Sequence, residues 1–426
     1  MKRLLTTGIF FMLSTTLLLA SGGDKKPRHS FSDTTNFIEI EGKLIDEATK
    51  KPVVFATVFV TGTSIGTVSN IDGEFILKVP KNKEQATISF AHIGYENKIV
   101  AVAGLLAPIN TIEIKTATVP IDEVVVRPAD GLAIILAALE KIPSNYSDVA
   151  EMQTAFYRET VKQNKKYVSV SEAVLDIYKA PYKSTFDYDR LKIYKGRKSH
   201  DVKKMDTVVV KLQGGPKTSL LLDVVKNPGD ILDRETLEYY NFFLAGITTV
   251  DNRETYVIHF DQKDGVEYPL YMGNIYIDTK TYAFSGFDFN LSEKGLPYAS
   301  KYLVKKKPVN MKIDVENGHY LIKYRFDNDR WYLNYVRSEI EFSSKWKQKL
   351  FKSDFQIMLE MAVTDRDREN IEKFATKETV KLNEVFADQV SYFEDDSFWG
   401  DYNTIKPDES IEVAIEKLNR KLKRRQ

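Results

Sequence analysis

The stretch "TGTSIGTVSNIDGEFILKVP", Thr61 to Pro80, decides how the amino-terminal part of the chain is read. Within it Gly62-Thr63-Ser64-Ile65-Gly66 spells G-x-S-x-G, the pattern of a serine-hydrolase nucleophile elbow. An elbow needs a strand running in and a helix running out, so that the serine is held in a strained, exposed turn. After Gly66 the residues instead read as strand and hairpin. Asp72-Gly73 supplies a tight turn with positive φ. Phe75 and Leu77 then share one strand face, and Glu74 and Ile76 the other. Ser64 is therefore expected in a loop between strands, not as a nucleophile. A calcium loop through Asn70, Asp72 and Gly73 would need an oxygen ligand where Val68 stands, and flanking helices.

Outward from this stretch, short strand-like runs arrive at close spacing from Phe37 onward: "FIEIEGKLID", "VVFATVFVTG", "GTVSNID", "GEFILKVP", "QATISFAHIGY", "NKIVAVAG" and "TIEIKTATV". Lys51-Pro52, Asp72-Gly73, Pro80-Lys81-Asn82 and Gly94 break them with turn chemistry. Seven short strands at this spacing predict a β-sandwich. The Gly42-Lys43-Leu44-Ile45-Asp46 opening, the GTSIGT turn, the Asp72-Gly73-Glu74-Phe75 hairpin and the Ile93-Gly94-Tyr95-Glu96 strand, followed by "IDEVVV", resemble the carboxypeptidase-regulatory-like domain, a transthyretin-like sandwich of Gram-negative envelope proteins. The resemblance spans 37–128 and implies a non-catalytic accessory module. In the outer-membrane receptors that carry this domain, such a segment leads into a plug and a large barrel. Here it leads to "RPADGLAIILAALEKIPSNY" and a chain too short for that barrel.

The chain has 426 residues, with 61 Lys+Arg against 60 Asp+Glu, so no global field recruits nucleic acid, and nucleic acid is not expected as a partner. With 23 Tyr and 24 Phe, many in alternating runs, the composition points to a mainly β protein. Lys2 and Arg3, an apolar run to Ala20 and the small residues Ser21 to Gly23 read as a secretory signal (1–23), with an uncleaved membrane anchor as the alternative. Residues 24–36 read as a flexible lead. No cysteine is present, which removes disulfides, thiolate chemistry and a lipid-modified cysteine. The expected location is the periplasm or the periplasmic face of the outer membrane.

Beyond the sandwich, Leu132, Ile135, Leu136, Leu139 and Ile142 recur at helical spacing, and Pro143 marks the end of a linking helix (129–148). A long hairpin is expected to turn near Asn164-Lys165, with Val168, Val170 and Val174 on one face and Tyr167, Ala173, Leu175 and Ile177 on the other. Pro216 can open a helix that Asn227-Pro228-Gly229 closes. Gly214-Gly215 lacks the G-K-[ST] spacing of a phosphate cradle, and Lys217 precedes Thr218 without it. From Tyr239 a regular meander predicts a curved antiparallel sheet (149–365) of about eight to ten strands. Its expected turns are Asp278-Thr279-Lys280-Thr281, Asn317-Gly318 and Asp327-Asn328-Asp329. The Tyr256-Val-Ile-His-Phe260, Gly273-to-Ala283 and Arg330-Trp-Tyr-Leu333 series is similar to the lipoprotein-carrier half-barrels, which shelter acyl chains in a concave face. A polar, largely helical segment (366–426) follows the last strand and argues against a small outer-membrane barrel.

No catalytic constellation emerges. A zinc peptidase needs three convergent ligands, and none of His29, His92, His200, His259 or His319 has a partner at ligand spacing. Asp201, Asp206, Asp288, Glu394, Asp395 and Asp396 supply carboxylates without a visible pairing. No catalytic, metal or cofactor-binding residue is therefore assigned. The last helix carries Ile411, Ala414, Ile415, Leu418 and Leu422 on one stripe and ends in a basic run, Lys417 to Arg425. That pattern complements the helix dipole, or forms a basic foot on an anionic membrane. The reading is a non-enzymatic exported envelope protein, a binding or accessory module for an outer-membrane or periplasmic partner or an apolar ligand. Its alternatives are a metal-independent hydrolase of glycan or peptide and a small outer-membrane β-barrel.

Overall fold

A computed structural model describes residues 36–118, 130–184, 187–200, 214–304, 309–348, 350–392 and 396–423. The expected signal sequence, nearly all of the lead with His29, the "IDEVVV" segment, Asp201, Asp206, Glu394 and Asp395 lie outside these residues. Among the described residues, no helix is long and apolar enough to cross a membrane.

The amino-terminal unit is built from seven strands: β1 (Phe37–Asp46), β2 (Thr57–Val60), β3 (Gly66–Val68), β4 (Glu74–Pro80), β5 (Thr87–Ala91), β6 (Lys98–Ala101) and β7 (Asn110–Ile114). They form two sheets, β4-β1-β7 and β3-β2-β5-β6. Alternation decides which side chains are enclosed: Ile40, Leu44, Val58, Phe75, Leu77 and Phe90 are buried between the sheets. Phe75 meets Phe90 edge-on at 5.6 Å. Gly73 has φ +75°, and a Cβ there would fall 2.5 Å from the Leu44 carbonyl oxygen. Gly73→Val therefore combines backbone strain with overlap, and should lower the unfolding free energy by about 3 kcal/mol. Urea unfolding measures this, and wild-type stability in the variant would refute the turn geometry.

Helix α1 (Gly131–Asn145) follows, capped by Asp130, whose side chain accepts from the Leu132 amide. Pro143 does not end it but sits inside its last turn. Then comes the large sheet: β8 (Glu151–Gln163), β9 (Lys166–Lys179), β10 (Arg190–His200), β11 (Tyr240–Val250), β12 (Arg253–Gln262), β13 (Tyr271–Asp278), β14 (Phe284–Leu291), β15 (Met311–Asp327), β16 (Arg330–Trp346), β17 (Ser353–Asp367) and the short β18 (Ser391–Tyr392). The spatial order is β11-β12-β13-β14-β15-β16-β17-β8-β9-β10-β18, antiparallel except for the β10–β18 contact. Among the described residues the sheet stays open between β11 and β18 and does not close into a barrel, which overturns the small-barrel alternative. Tight turns with paired positive φ close the hairpins at Asn164-Lys165, Asp251-Asn252 and Asn328-Asp329.

Four local expectations are corrected. Asn317-Gly318 is not a turn, because both residues lie within the 17-residue β15, where a bulge between Val315 and Asn317 absorbs the irregularity. A second bulge, where Val161 and Lys162 face Ser169 and Tyr167, turns Val168 toward the face of Ala173, Leu175 and Ile177 and sends Tyr167 to the opposite one. The helix opened by Pro216 stops early, giving α2 (Gly215–Leu221) and a separate α3 (Gly229–Leu232). After β17 the described residues are mostly irregular with short 3-10 turns, and among them only α5 (Glu409–Lys423) is a full helix.

Both faces of the large sheet are covered. On one face, Tyr157, Ile177, Phe260, Phe287 and Leu359 pack with Ile135 of α1, Leu220 of α2, Ile231 of α3 and Ala299 of α4 (Leu296–Leu303). On the other, Phe156, Val174, Tyr335 and Ala362 pack with Val68 of the sandwich and with Trp399 and Ile405 of the carboxy-terminal segment. Ile411 and Leu418 of α5 lie on Val170 and Met358 of the same face.

Candidate functional site

The side chains singled out in the sequence do not converge. Gly66 opens a strand, and the Ser64 hydroxyl donates to Asp365 Oδ1 at 2.5 Å and to the Arg366 carbonyl at 3.2 Å, so it joins the sandwich to β17. Asn70 Oδ1 is occupied by the Asp72 and Glu74 amides, and Asp72 Oδ2 by the Glu409 amide at the start of α5. That leaves these oxygens committed to backbone donors. His259 Nδ1 lies 3.2 Å from Asn274 Oδ1, and His319 Nε2 lies 2.7 Å from Asp288 Oδ1 on neighbouring strands. Burial, with Lys323 nearby, pushes the His92 imidazole down to about 3, so it stays neutral at physiological pH. Lys217 turns away from the Gly214-Gly215 turn to the Asp189 carbonyl at 2.6 Å. No group of three or more His, Asp or Glu among the described residues could hold a metal ion. His200 and Asp396 lie in described backbone, in β10 and the 3-10 turn Asp396–Trp399.

What the fold does bring together is charge, on both faces of the sheet. Facing the sandwich, the Arg158 guanidinium bonds Glu172 at 2.8 Å, Glu360 at 2.9 Å and the Ile405 carbonyl at 2.8 Å. Arg197 reaches Glu172 and Arg337 reaches Glu360, each at 3.1 Å, and Tyr335 donates to Glu360 at 2.9 Å. Arg158, Glu172 and Glu360 are buried. Around this group the sandwich docks: Arg325 donates to the Thr63 carbonyl, Lys323 to the Phe55 carbonyl, and Asn334 to Thr57. Arg337 and Arg325 lie over the rings of Phe55 and Phe59 at 4.6 and 4.5 Å.

On the helix face, Lys179 Nζ sits 2.6 Å from both Asp189 and Asp223. Tyr182 and Tyr324 donate to Asp223 at 2.8 and 2.7 Å. Burial alone would lower the Lys179 pKa, yet the two carboxylates hold it above the ordinary lysine value.

Glu159, on the same face, is a different case. It is buried, and among the described residues its hydrogen-bond donor is the Tyr157 hydroxyl, at 3.1 Å. Burial pushes it up to about 7, the Tyr157 bond works against that rise, and Asp388 adds to it. Below its ordinary value of 4.5, folded and unfolded chains both hold the proton and nothing is lost. As pH rises from there to about 7, the folded chain keeps a proton that the unfolded chain has released, so stability falls by about 3 kcal/mol in all. Glu159→Gln keeps the shape and should remove this decline, leaving the variant more stable than wild type at pH 8. Urea titrations across pH 4 to 8 measure it, and parallel pH profiles for the two proteins would sink the assignment.

Sequence reading missed Arg158, Glu159, Glu172, Lys179, Glu360 and Arg337. A signal was present: all are charged residues within otherwise apolar strand runs such as "AFYRETV" and "VSVSEAVLDIYK", and a charge there is either solvated or paired.

Residues 40–126 match the family model of the CarboxypepD_reg-like domain, the resemblance carried by the turn and hairpin motifs. Comparison with curated proteins gives no match. Among solved structures the chain is similar to a domain described as an outer membrane lipoprotein-sorting protein domain of Vibrio parahaemolyticus, at 10% identity and TM-score 0.25, covering 56% of this chain and 94% of that one. It is also similar to a LolA superfamily protein from Nitrosomonas europaea, at 12% identity and TM-score 0.21, covering 59% of this chain and 98% of that one. A DUF1329 family protein from Desulfovibrio piger is matched at 13% identity and TM-score 0.22, covering 57% of this chain and 95% of that one. Likeness at this level carries no conclusion about ligand.

Proposed function

We propose that this chain is a non-enzymatic, exported cell-envelope protein, a binding or accessory module for a periplasmic or outer-membrane partner. The supporting observation is how the interior is used. Arg158, Glu172 and Glu360, like Lys179, Asp189 and Asp223, are tied to one another in buried networks, which is structural rather than acid–base chemistry. The helix face of the sheet, where an apolar ligand of a carrier would lie, is packed by α1, α2 and α3. Partner contact therefore falls to the outer surface, and an apolar ligand would require α1 to lift from the sheet. In this reading residues 1–23 direct export, 37–128 form the regulatory-like sandwich, and 149–365 carry the sheet against which the carboxy-terminal segment is locked.

The experiment is affinity purification of the tagged chain from chemically crosslinked envelopes, combined with lipid extraction of the purified material. A recurrent envelope protein partner without stoichiometric lipid is the expected outcome. Stoichiometric acyl lipid would establish the carrier reading instead. Turnover of a glycan or peptide that one carboxylate substitution abolishes would overturn both.

A further inference from the structure

Three large apolar side chains stand in water at one end of the large sheet: Val309, Leu350 and Phe351 are 92, 88 and 84% exposed. They belong to neighbouring loops. Val309 precedes β15, and Leu350 and Phe351 lie in the hairpin between β16 and β17. Met311 pairs with Trp346, and the Lys347 amide donates to the Asn310 carbonyl, so the two loops are joined at their base. Under them Trp346 is half-buried, and Phe342 stacks on Phe355 at 5.2 Å, which gives the tip a rigid base. The β8–β9 turn abuts the same end, since the Asn164 amide donates to the Asp354 carbonyl.

The surroundings of the apolar tip are basic. Lys312, Lys345, Lys347 and Lys352 flank the two loops in sequence and register, and Lys165 and Lys166 sit in the turn beside Asp354, against Asp314, Glu316 and Asp354. Those acids each pair with Lys312 or Lys352, so six lysines stand against three acids and the end keeps an excess of three positive charges. We infer that this end of the sheet is a membrane-contacting tip, which inserts Val309, Leu350 and Phe351 into the interface of an anionic bilayer while the lysines meet its phosphates. Charge complementarity selects this occupant. Size supports it too: three side chains on a protruding tip are far short of the roughly 800 Å² per partner of a stable protein interface. Interfacial insertion has no such minimum, because apolar burial and surface charge add. The basic foot on α5 is a weaker candidate, as Ile411 and Leu418 of its apolar stripe are already buried against β9 and β17. The inference rests on surface chemistry and does not depend on the partner proposed above.

The structure contains its own reporter. Of the three tryptophans, Trp331 and Trp399 are buried, and Trp346 alone lies at the tip. The full chain is mixed with vesicles of phosphatidylglycerol and phosphatidylethanolamine, or of phosphatidylcholine alone, and followed by flotation and by quenching with brominated phospholipid. Wild type should bind the anionic vesicles with Trp346 quenched, bind neutral ones poorly, and dissociate as salt is added. Leu350→Ser/Phe351→Ser should weaken binding at least about ten-fold, and Lys345→Glu/Lys347→Glu should abolish the preference for anionic lipid. The apolar run Ile9 to Ala20 is common to every variant, so the comparison isolates the tip. Binding without Trp346 quenching, or undiminished binding by both variants, would overturn the inference by placing the contact elsewhere. Tip-dependent self-association without lipid would overturn it in favour of a second copy of the chain.

Discussion

Replacing Lys179 by Met should lower the unfolding free energy by about 3 to 5 kcal/mol, because it leaves two buried carboxylates without their cation. Asp189 and Asp223 both lie 2.6 Å from the ammonium, and Asp223 has no solvent exposure. The methionine fills the volume, so packing changes little. What is lost is compensation. Tyr182, Tyr324 and the Ala180 amide still donate to the two aspartates, which keeps them oriented but leaves their charge opposed by Lys217 and Lys226 rather than by the ion pairs of Lys179. Lys179→Met/Asp223→Asn should recover part of the loss at pH 7. Urea unfolding at pH 7 measures all three proteins, and a loss below about 1 kcal/mol would show that the network does not hold the fold as described.

The sandwich was readable because its signals are local. Strand alternation from Ile38 to Ile40 and from Phe75 to Leu77, with a glycine where φ must be positive, fixes faces and turns from neighbours in sequence alone. The large sheet was readable for the same reason as far as its strands and most of its hairpins went. It failed where tertiary pairing overrode a local preference. Asn317-Gly318 is a strong turn dipeptide, yet β15 runs through it because β16 offers a continuous partner strand from Trp346 back to Arg330, with bulges taking up two register shifts. Val168 changed faces for the same kind of reason, since a bulge is set by the partner strand and leaves no mark in alternation.

The placement of the sandwich against the sheet was not legible at all. Its contacts join residues hundreds of positions apart, such as Ser64 with Asp365, Thr67 with the Thr404 carbonyl and Asn70 with the Pro407 carbonyl. No periodicity reports such a meeting. The docking of the polar carboxy-terminal segment, read as largely helical, was hidden for a related reason: its apolar residues Trp399 and Ile405 find burial because Phe156 and Tyr335 are presented by the far side of the sheet. Charged residues in strands could have been flagged as buried, but not paired with one another.

Arg158 is where these distant pieces meet, so its removal should have the widest consequences. Its Nε and Nη1 bind carboxylates of β9 and β17, and its Nη2 binds the Ile405 carbonyl, which fixes the segment that runs on to α5. Arg158→Met should cost about 3 to 5 kcal/mol, since Glu172, Glu360 and the Ile405 carbonyl each lose a buried donor. Arg197 and Arg337 still reach the two glutamates, so charge remains partly balanced and the fold should persist. The carboxy-terminal segment should not stay locked. With its Ile405 anchor gone, protease cleavage between Trp399 and Glu409 should accelerate under native conditions, ahead of cleavage in the sandwich. Arg158→Lys restores the charge but not the three-way fork, and should regain stability while leaving the segment protease-sensitive. Unfolding in urea and timed proteolysis separate the two effects. If Arg158→Met loses stability with no change in cleavage at the segment, the Ile405 contact does not hold it, and packing of Trp399 on Phe156 and of α5 on Val170 and Met358 is sufficient to keep the carboxy terminus on the sheet.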